Sequence, residues 1–525
     1  AFLSTVVAPA QPGKRSFRLI TRITSRALVS INGQIAYDTA DHPLRYQHGV
    51  YEYRFEAELQ PGENTVNVGL FRLGRMAQVG FRLEIADSDA NTRVRLGEGL
   101  SLEARSRVEE EVAGIRLARD VFYPEHEIGC KLLVAPSSEA PLKVRLLSAA
   151  GAVLREAAPT SAGPIILCAG RDLPDGSYRI AYEWSRPDGA LLTAVEHDIR
   201  KVTPVPAPLG YDRLEERRRM VLEHYAANEE RRPIWTEVAR YALGQYDRVN
   251  EATIRETCEF ISTRKDCADF VIQGILRLMY WEREQQRLSP EINAMMKDTV
   301  LGYKYWVDEP GDTVMYMSSE NHRLLFHVAE FLAGQLFPLE EFTNSRQRGL
   351  YHATKGRMYI TEWLRQRGRF GFDEWHSNSY YPISMAPLFN VYDFAIADDY
   401  KLRQMAGAVI DYMLFNLAAD SLQGVLGTTH GRIYGIYVMY PDFEGTSLVK
   451  GSSGMCPVSM ATSAYVPPKI LTDIATDNQA IVESRVRQGL LRGTAHHADF
   501  IVYRTPDYML SGLQDHRKGE YEPST

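Results

Sequence analysis

Cysteine is scarce in this chain of 525 residues: Cys130, Cys168, Cys258, Cys267 and Cys456 are too few and too scattered for a disulfide framework. The odd number leaves at least one thiol unpaired within a monomer, and neither a CxxC pair nor a Cys/His ligand spacing occurs. An excess of one charge is lacking too. Sixty basic residues against 67 acidic ones give a net charge of −7, which offers no electrostatic footprint for DNA or RNA. No apolar run reaches the roughly 18 residues needed to span a bilayer. The N-terminus shows no basic segment followed by an apolar one, so no signal peptide is visible. With so few cysteines this favours the cytoplasm, secretion being open to a chain whose leader was removed.

What remains is an ordinary globular composition, 45% hydrophobic and 24% charged, which excludes disorder, collagen and coiled coil. The length predicts about three domains. Residues 1–205 read as β-structure: short alternating runs such as Tyr51-Glu-Tyr-Arg-Phe-Glu-Ala are separated by turn signals such as Pro61-Gly62. Residues 1–100 are expected to form a jelly-roll-like accessory sandwich, and 101–205 an immunoglobulin-like one, with a hairpin turn at Pro187-Asp-Gly. Around 100–120 either a short helix or a linker strand fits. Pro204-Val-Pro-Ala-Pro-Leu-Gly is a stiff linker closing this half.

From residue 211 the period becomes helical. Helices are expected over 213–231, 233–246, 250–263, 268–287, 290–306, 319–336, 343–367, 380–397 and 399–420. In the sixth, Leu324, Leu325, Val328, Phe331, Leu332 and Leu336 keep helical spacing and Ser319 can cap the start. Short loops between so many helices predict an array of α/α hairpins, or a toroid, over 211–490. No fixed-period repeat points to a regular solenoid. Residues 491–525 return to β character, as the start of an incomplete sheet region.

Polar chemistry concentrates in the helical half. Five of the thirteen histidines lie between His322 and His430, and five of the six tryptophans lie beyond residue 211. The densest stretches run from Met317 to Arg323, from Phe370 to Pro382 and from Gly427 to Gly435, each at a helix start or in an adjoining loop. Asn321 falls in a first helical turn, where the helix dipole favours a carboxylate. Asn321 and His322 could equally cap a neighbouring loop. Asp373 and Glu374 are either paired catalytic carboxylates or loop residues, and Tyr380 either a catalytic group or a wall. Gly427 and Gly431 bracket His430, and core packing does not explain Arg432 beside it. His327 and His352 read as core histidines. His496 and His497 point oppositely on a strand and form no metal site.

The helical half resembles the polysaccharide lyases built on an α/α toroid, the heparinase, alginate lyase and chondroitin lyase group. The resemblance covers about residues 211–515. Glu320-Asn321-His322 looks like their Asn-His motif, and Phe372-Asp-Glu-Trp-His-Ser377-Asn-Ser-Tyr380 like their Phe-x-Glu…Ser-x-x-Tyr pattern. It implies β-elimination on a uronic-acid polysaccharide, an anionic substrate. Tyr380, His376 and His430 would be the catalytic acid and base. Asn321, His322 and Arg432 would neutralise the carboxylate, with Glu374, Trp375, Tyr381 and Tyr434 contacting sugar. No redox cofactor is required, and a structural cation is compatible. Arg323, Arg346, Arg348, Lys355, Arg357, Arg365, Arg367 and Arg369 would supply a local basic field within an acidic chain. Two other classes fit the same residues: an inverting hydrolase using Glu320 with Asp373 or Glu374, and a noncatalytic glycan-binding protein.

Overall fold

The computed structural model describes residues 2–8, 12–22, 26–39, 50–71, 80–85, 93–95, 102–186, 189, 191–203, 211–227, 233–396, 399–422, 425–434, 455–489 and 498–514. The Pro204–Gly210 linker, most of the 187–189 turn, the 100/101 boundary and the pair His496-His497 lie outside them. The chain divides into two compact units. Residues Ala1–Ala118, Ile128–Cys168 and Arg179–His197 make the first, and Arg119–Glu127, Ala169–Tyr178 and Asp198–Thr525 the second.

The first unit begins with two antiparallel sheets. One has the order Gln34–Asp38, Arg26–Ile31, Asn64–Phe71, Phe2–Ala8, Arg93–Arg95; the other has Gly13–Arg22 between Val50–Leu59 and Gly80–Ile85. Period-two alternation dictates which side chains turn inward. Phe17 and Leu19 are buried, and Phe17 stacks on Phe55, its partner in register, with ring centroids 5.1 Å apart. Arg18 between them points outward to Glu52 and Glu84. Val29 and Ile31 from the first sheet join Phe17, Leu19 and Phe55 in one core, the sheet-on-sheet packing expected of a sandwich. The ambiguous stretch that follows is a helix, α1 (Leu102–Ala113).

Two further sheets have the orders Val121–Phe122, Leu191–Lys201, Gly176–Ser185, Leu142–Ser148, Val153–Ala157 and Gly163–Ala169, Glu127–Leu132, Ile115–Leu117. The edge pair between Val121–Phe122 and Leu191–Lys201 is parallel. Trp184 is wholly buried and donates its indole N–H to Glu111 of α1 at 2.7 Å.

The second unit carries α2 (Leu214–Ala227), α3 (Ile234–Ala242), α4 (Glu251–Ser262), α5 (Ala268–Gln285), α6 (Pro290–Gly302), α7 (Glu320–Leu336), α8 (Gly349–Phe370), α9 (Tyr381–Phe394), α10 (Tyr400–Ala419), α11 (Met455–Thr462) and α12 (Lys469–Thr476). Local chemistry explains several starts: Asn250 accepts from Ala252 N–H to cap α4, and Ser289 caps α6 ahead of Pro290. α8 begins six residues later than its spacing predicts, because 338–348 turn back on themselves through the Phe342–Gln347 hydrogen bond and the Glu341–Arg348 bridge. α7 packs on α5, α8 and α9, while α11 packs on α2, α3 and α9. The α7–α8 approach is close. A Cβ on Gly356 would lie 2.7 Å from the His327 carbonyl oxygen, and one on Gly334 2.4 Å from Ala353 N.

The C-terminal sheet starts before residue 491. Val482–Gln488, Ala498–Arg504 and Met509–Leu513 form an antiparallel meander, with Gln488 paired to Ala498. The alternation in Val482-Glu-Ser-Arg-Val-Arg-Gln already marks a strand, so the helical body ends near α12 rather than at 490. All five cysteines are free thiols. Among the described residues no helix is long and apolar enough to cross a membrane.

Candidate functional site

Three segments build the site: the N-terminus of α7, the 371–380 loop before α9, and the 427–434 loop. The two loops are laced together. Gly431 N–H donates to Trp375 O at 2.9 Å, Ser377 Oγ donates to Arg432 O at 2.5 Å, and His430 Nδ1 donates to His376 O. A Cβ on Gly431 would stand 3.0 Å from the Trp375 ring, so a larger residue would force the ring or the loop to give by a few tenths of an ångström. Trp375 is braced in turn by an edge contact to Phe500. Its ring is thus committed to anchoring the loop.

The α7 N-terminus receives a carboxylate, as its dipole favours, but that carboxylate is the protein's own. Glu374 Oε2 accepts from Asn321 N–H at 3.1 Å, and Oε1 accepts from Asn321 Nδ2 at 3.3 Å and Arg432 Nη1 at 2.8 Å. Ser319 occupies the N-cap position without capping; its hydroxyl donates to Asn321 Oδ1. Asn321 is wholly enclosed. Burial, with Glu320 nearby, pushes the Glu374 carboxyl up to about 7 against the pull of Arg432.

Glu320 faces a different partner. It forms a buried ion pair with Arg367 and accepts the backbone N–H groups of Asp373, at 3.2 Å, and Glu374, at 2.7 Å. Arg367 also bonds Asp373 at 2.9 Å. Glu320 and Glu374 are thus engaged inside the protein, while Asp373 keeps 24% of its side chain exposed.

His322 Nδ1 lies 2.6 Å from Asp269 Oδ2, and the ring stacks on Phe270 with centroids 5.2 Å apart. Burial alone would lower its pKa, but the Asp269 carboxylate outweighs burial and raises it above the ordinary 6.5. His322 Nε2 has no hydrogen-bond partner among the described residues.

Arg432, with 22% of its side chain exposed, lies over the Tyr380 ring, 4.0 Å from guanidinium carbon to centroid. Tyr380 Oη is 2.5 Å from Tyr434 Oη, and Tyr434 is exposed. Burial drives the Tyr380 hydroxyl far above the ordinary tyrosine value, with Arg432 opposing, so it carries its proton at neutral pH.

The two histidines of the loops differ in access. A carbonyl oxygen only accepts, so the His430–His376 bond fixes the His430 proton on Nδ1 and leaves Nε2 with a lone pair. Burial lowers the His430 pKa below 6.5, keeping that lone pair free at neutral pH. His376 is fully buried, with a positive φ of 47°, and its Nε2 lies 3.3 Å from Gln488 Nε2 and 3.2 Å from Asp420 Oδ2. Burial and the neighbouring His430 pull His376 down to about 3, and burial pushes Asp420 up to about 6. Tyr381 is buried as well; its hydroxyl donates to Gln488 Oε1 at 3.2 Å.

Hydrogen bonds and ring contacts thus join Asn321, Glu374, Arg432, Tyr380 and Tyr434 in one chain. They join His430, His376 and Tyr381 in a second, which the loop lacing ties to the first. The enclosed members do not meet solvent. Half of the expected basic field is spent: Arg346, Lys355, Arg357 and Arg367, four of its eight residues, form ion pairs with carboxylates.

Asp269, Asp420 and Gln488 have structural parts in this region that sequence reasoning did not assign, whereas Ser377 is the serine of the Ser-x-x-Tyr pattern. Only Asp269 had a readable signal. Asp269 and Gln273 stand four apart in an apolar run, on one helix face, and both are buried towards α7. Gln488 comes from a strand 107 residues beyond Tyr381, a distance no local pattern spans.

No family model matches the chain, and no curated protein sequence matches it. Among solved structures it is similar to a family 76 glycoside hydrolase from a bovine Bacteroides thetaiotaomicron strain, over 56% of this chain and 76% of that one, at 8% identity and a TM-score of 0.22. It is also similar to a Ruminococcus gnavus beta-glucuronidase, over 38% of this chain and only 35% of that one, at 15% identity and a TM-score of 0.14. The same enzyme in complex with D-glucuronic acid gives 14% identity over 38% of this chain and 36% of that one, again at 0.14. Likenesses at this level bear on neither the fold nor the activity of this chain.

Proposed function

We propose that the protein is a carbohydrate-active enzyme that cleaves a uronic-acid polysaccharide by β-elimination, on a closed array of helix pairs of the toroid type. The packing of α11 on α2 and α3 as well as on α9, which brings late helices to early ones, supports the closed array. The observation that carries the chemistry is the stack of Arg432 on Tyr380 with its hydroxyl shared with Tyr434. It unites a fixed cation, a protonated phenol and an exposed phenol that can relay the proton.

In this reading the exposed part of Arg432 and the His322 imidazolium, kept protonated by Asp269, hold the substrate carboxylate and neutralise the enolate as it forms. His430 Nε2 removes the proton on the carbon next to that carboxylate. The carbon–oxygen bond to the leaving sugar breaks as the carbon–carbon double bond forms, and Tyr380 passes its proton to the departing oxygen. Arg432 stabilises the resulting phenolate until the His430 proton returns to it by way of solvent and Tyr434. Asn321, Glu374, His376 and Tyr381, all buried, and the half-buried Trp375 act as positioning residues. Elimination is favoured over hydrolysis because Glu320 and Glu374 are both buried and held by cations and N–H groups of the protein.

The test is digestion of uronate polymers of several linkages, following ultraviolet absorbance of the unsaturated product together with new reducing ends. Both should grow in step. Reducing ends without absorbance would make the protein a hydrolase, and binding without either would leave only recognition.

A further inference from the structure

Half-way along α7, away from the site described above, lies a second buried polar cluster. Glu330 of α7, His352 of α8 and Glu309 of the segment before α7 place one ligand-type atom each within 4.8 Å of one another. His352 Nδ1 is 2.9 Å from Glu330 Oε1 and 3.9 Å from Glu309 Oε1. A tetrahedral ion with bonds of about 2.0–2.1 Å separates its ligand atoms by roughly 3.3 Å, so small side-chain shifts bring all three onto one centre.

Two observations distinguish this cluster from a closed ion-pair network. Glu309 is 8% exposed, and its Oε1, directed at His352, has no hydrogen-bond partner among the described residues, whereas Oε2 accepts from Tyr305 N–H and Asn344 Nδ2. A buried acceptor without a donor is costly and calls for a cation or a donor. The charge balance agrees. Lys355 lies 3.3 Å from Glu330 Oε1 but also 2.8 Å from Asp308, so a single ammonium faces three carboxylates.

We propose that Glu309, Glu330 and His352 bind one divalent transition-metal ion, zinc in the first instance, which ties the segment before α7 to the α7–α8 pair. One imidazole with two carboxylates suits zinc or manganese better than calcium or magnesium, which prefer all-oxygen sites. The far side of the His352 ring is held as well. Ser345 Oγ is 2.7 Å from His352 Nε2, and Phe342 stacks on the ring with centroids 4.3 Å apart. Without metal, the carboxylate on Nδ1 requires the proton there, and the serine hydroxyl donates to Nε2. Metal on Nδ1 moves the proton to Nε2, and the hydroxyl rotates to accept it. The close α7–α8 approach at Gly356 holds the two ligand-bearing helices together.

The protein, stripped with a chelator, should bind one equivalent of zinc chloride in calorimetry and gain thermal stability as it does so. Cobalt(II) in its place should show the visible bands of a low-coordinate nitrogen–oxygen site. Glu309→Gln and His352→Gln should each weaken zinc binding roughly a hundredfold or more, and Ser345→Ala about tenfold, by releasing the ring. Circular dichroism of the metal-free variants separates loss of the site from loss of the fold. If Glu309→Gln does not fold, the other two variants carry the test. Folded wild-type protein that binds no zinc overturns the proposal, and so does zinc bound equally by all variants.

Discussion

Two buried polar clusters sit on one helix, at the first turn of α7 and at its middle, and they solve the same electrostatic problem differently. At the first turn both glutamates are answered on each oxygen, although Asp269 Oδ1 beside His322 is not. Glu320 has Arg367 and two backbone N–H groups, and Glu374 has Asn321 and Arg432. The groups left with lone pairs or mobile protons are His322, His430, Tyr380 and Tyr434. In the middle of α7, Glu330 is shared by two histidines and a lysine while Glu309 Oε1 goes unanswered. Satisfied carboxylates build a rigid frame that presents other groups, whereas an unsatisfied one asks for a ligand.

The contrast can be broken at the first turn. Tyr380→Phe keeps the ring under Arg432 but removes the transferred proton. Initial rates on a uronate polymer should fall about 10²–10⁴-fold with substrate binding nearly unchanged. A rate within a few-fold of wild type would remove Tyr380 from the chemistry. Arg367→Met leaves Glu320 buried without its cation and should cost about 3–5 kcal/mol in urea unfolding. The zinc affinity of the middle cluster should survive wherever the variant is folded, and joint loss would mean that the two clusters are not independent.

A pH profile sharpens the comparison. His430 must be neutral, so kcat/KM should rise with pH through a midpoint below 6.5, the ordinary histidine value from which burial lowers it. His322 must be protonated, and its raised pKa puts the falling limb above 6.5. Asp269→Asn removes the carboxylate that raises it. The falling limb should then move to lower pH by about one unit, narrowing the profile from the alkaline side only. An unmoved limb would exclude the Asp269–His322 pair from the reaction. The smallest effect belongs to a distant control: Asn250→Ala deletes the α4 cap and should cost about 1 kcal/mol in the unfolding midpoint. It should leave rates and zinc binding as they are.

Much of the architecture was legible because it rests on periodicity. The change from period two to period 3.6 near residue 211 and the apolar face of α7 are written in single segments. The dense polar stretches were legible for a related reason. Residues such as His430 and Arg432 between glycines stand out from a core pattern; Arg432 lies on the Tyr380 ring, and His430 bonds the loop that precedes Tyr380. What each residue does there was not legible. Asn321 stands where a carboxylate is favoured, yet Glu374, 53 residues away, supplies that carboxylate. His352 reads as a core histidine and is buried, but its partners on α7 and in the loop before it make it more than packing.

The sequence by itself determined the change from strands to helices near residue 211, most of the helices up to residue 420, where α7 starts, and that its first turn attracts negative charge. These follow from side-chain spacing, turn residues and the helix dipole, all properties of ten or twenty residues at a time. Only the tertiary structure decided which carboxylate fills that turn, which histidine keeps an open lone pair and which acid lacks a partner. Those outcomes depend on burial and on donors brought from 50 to more than 100 residues away, where desolvation and hydrogen-bond geometry outweigh any local preference.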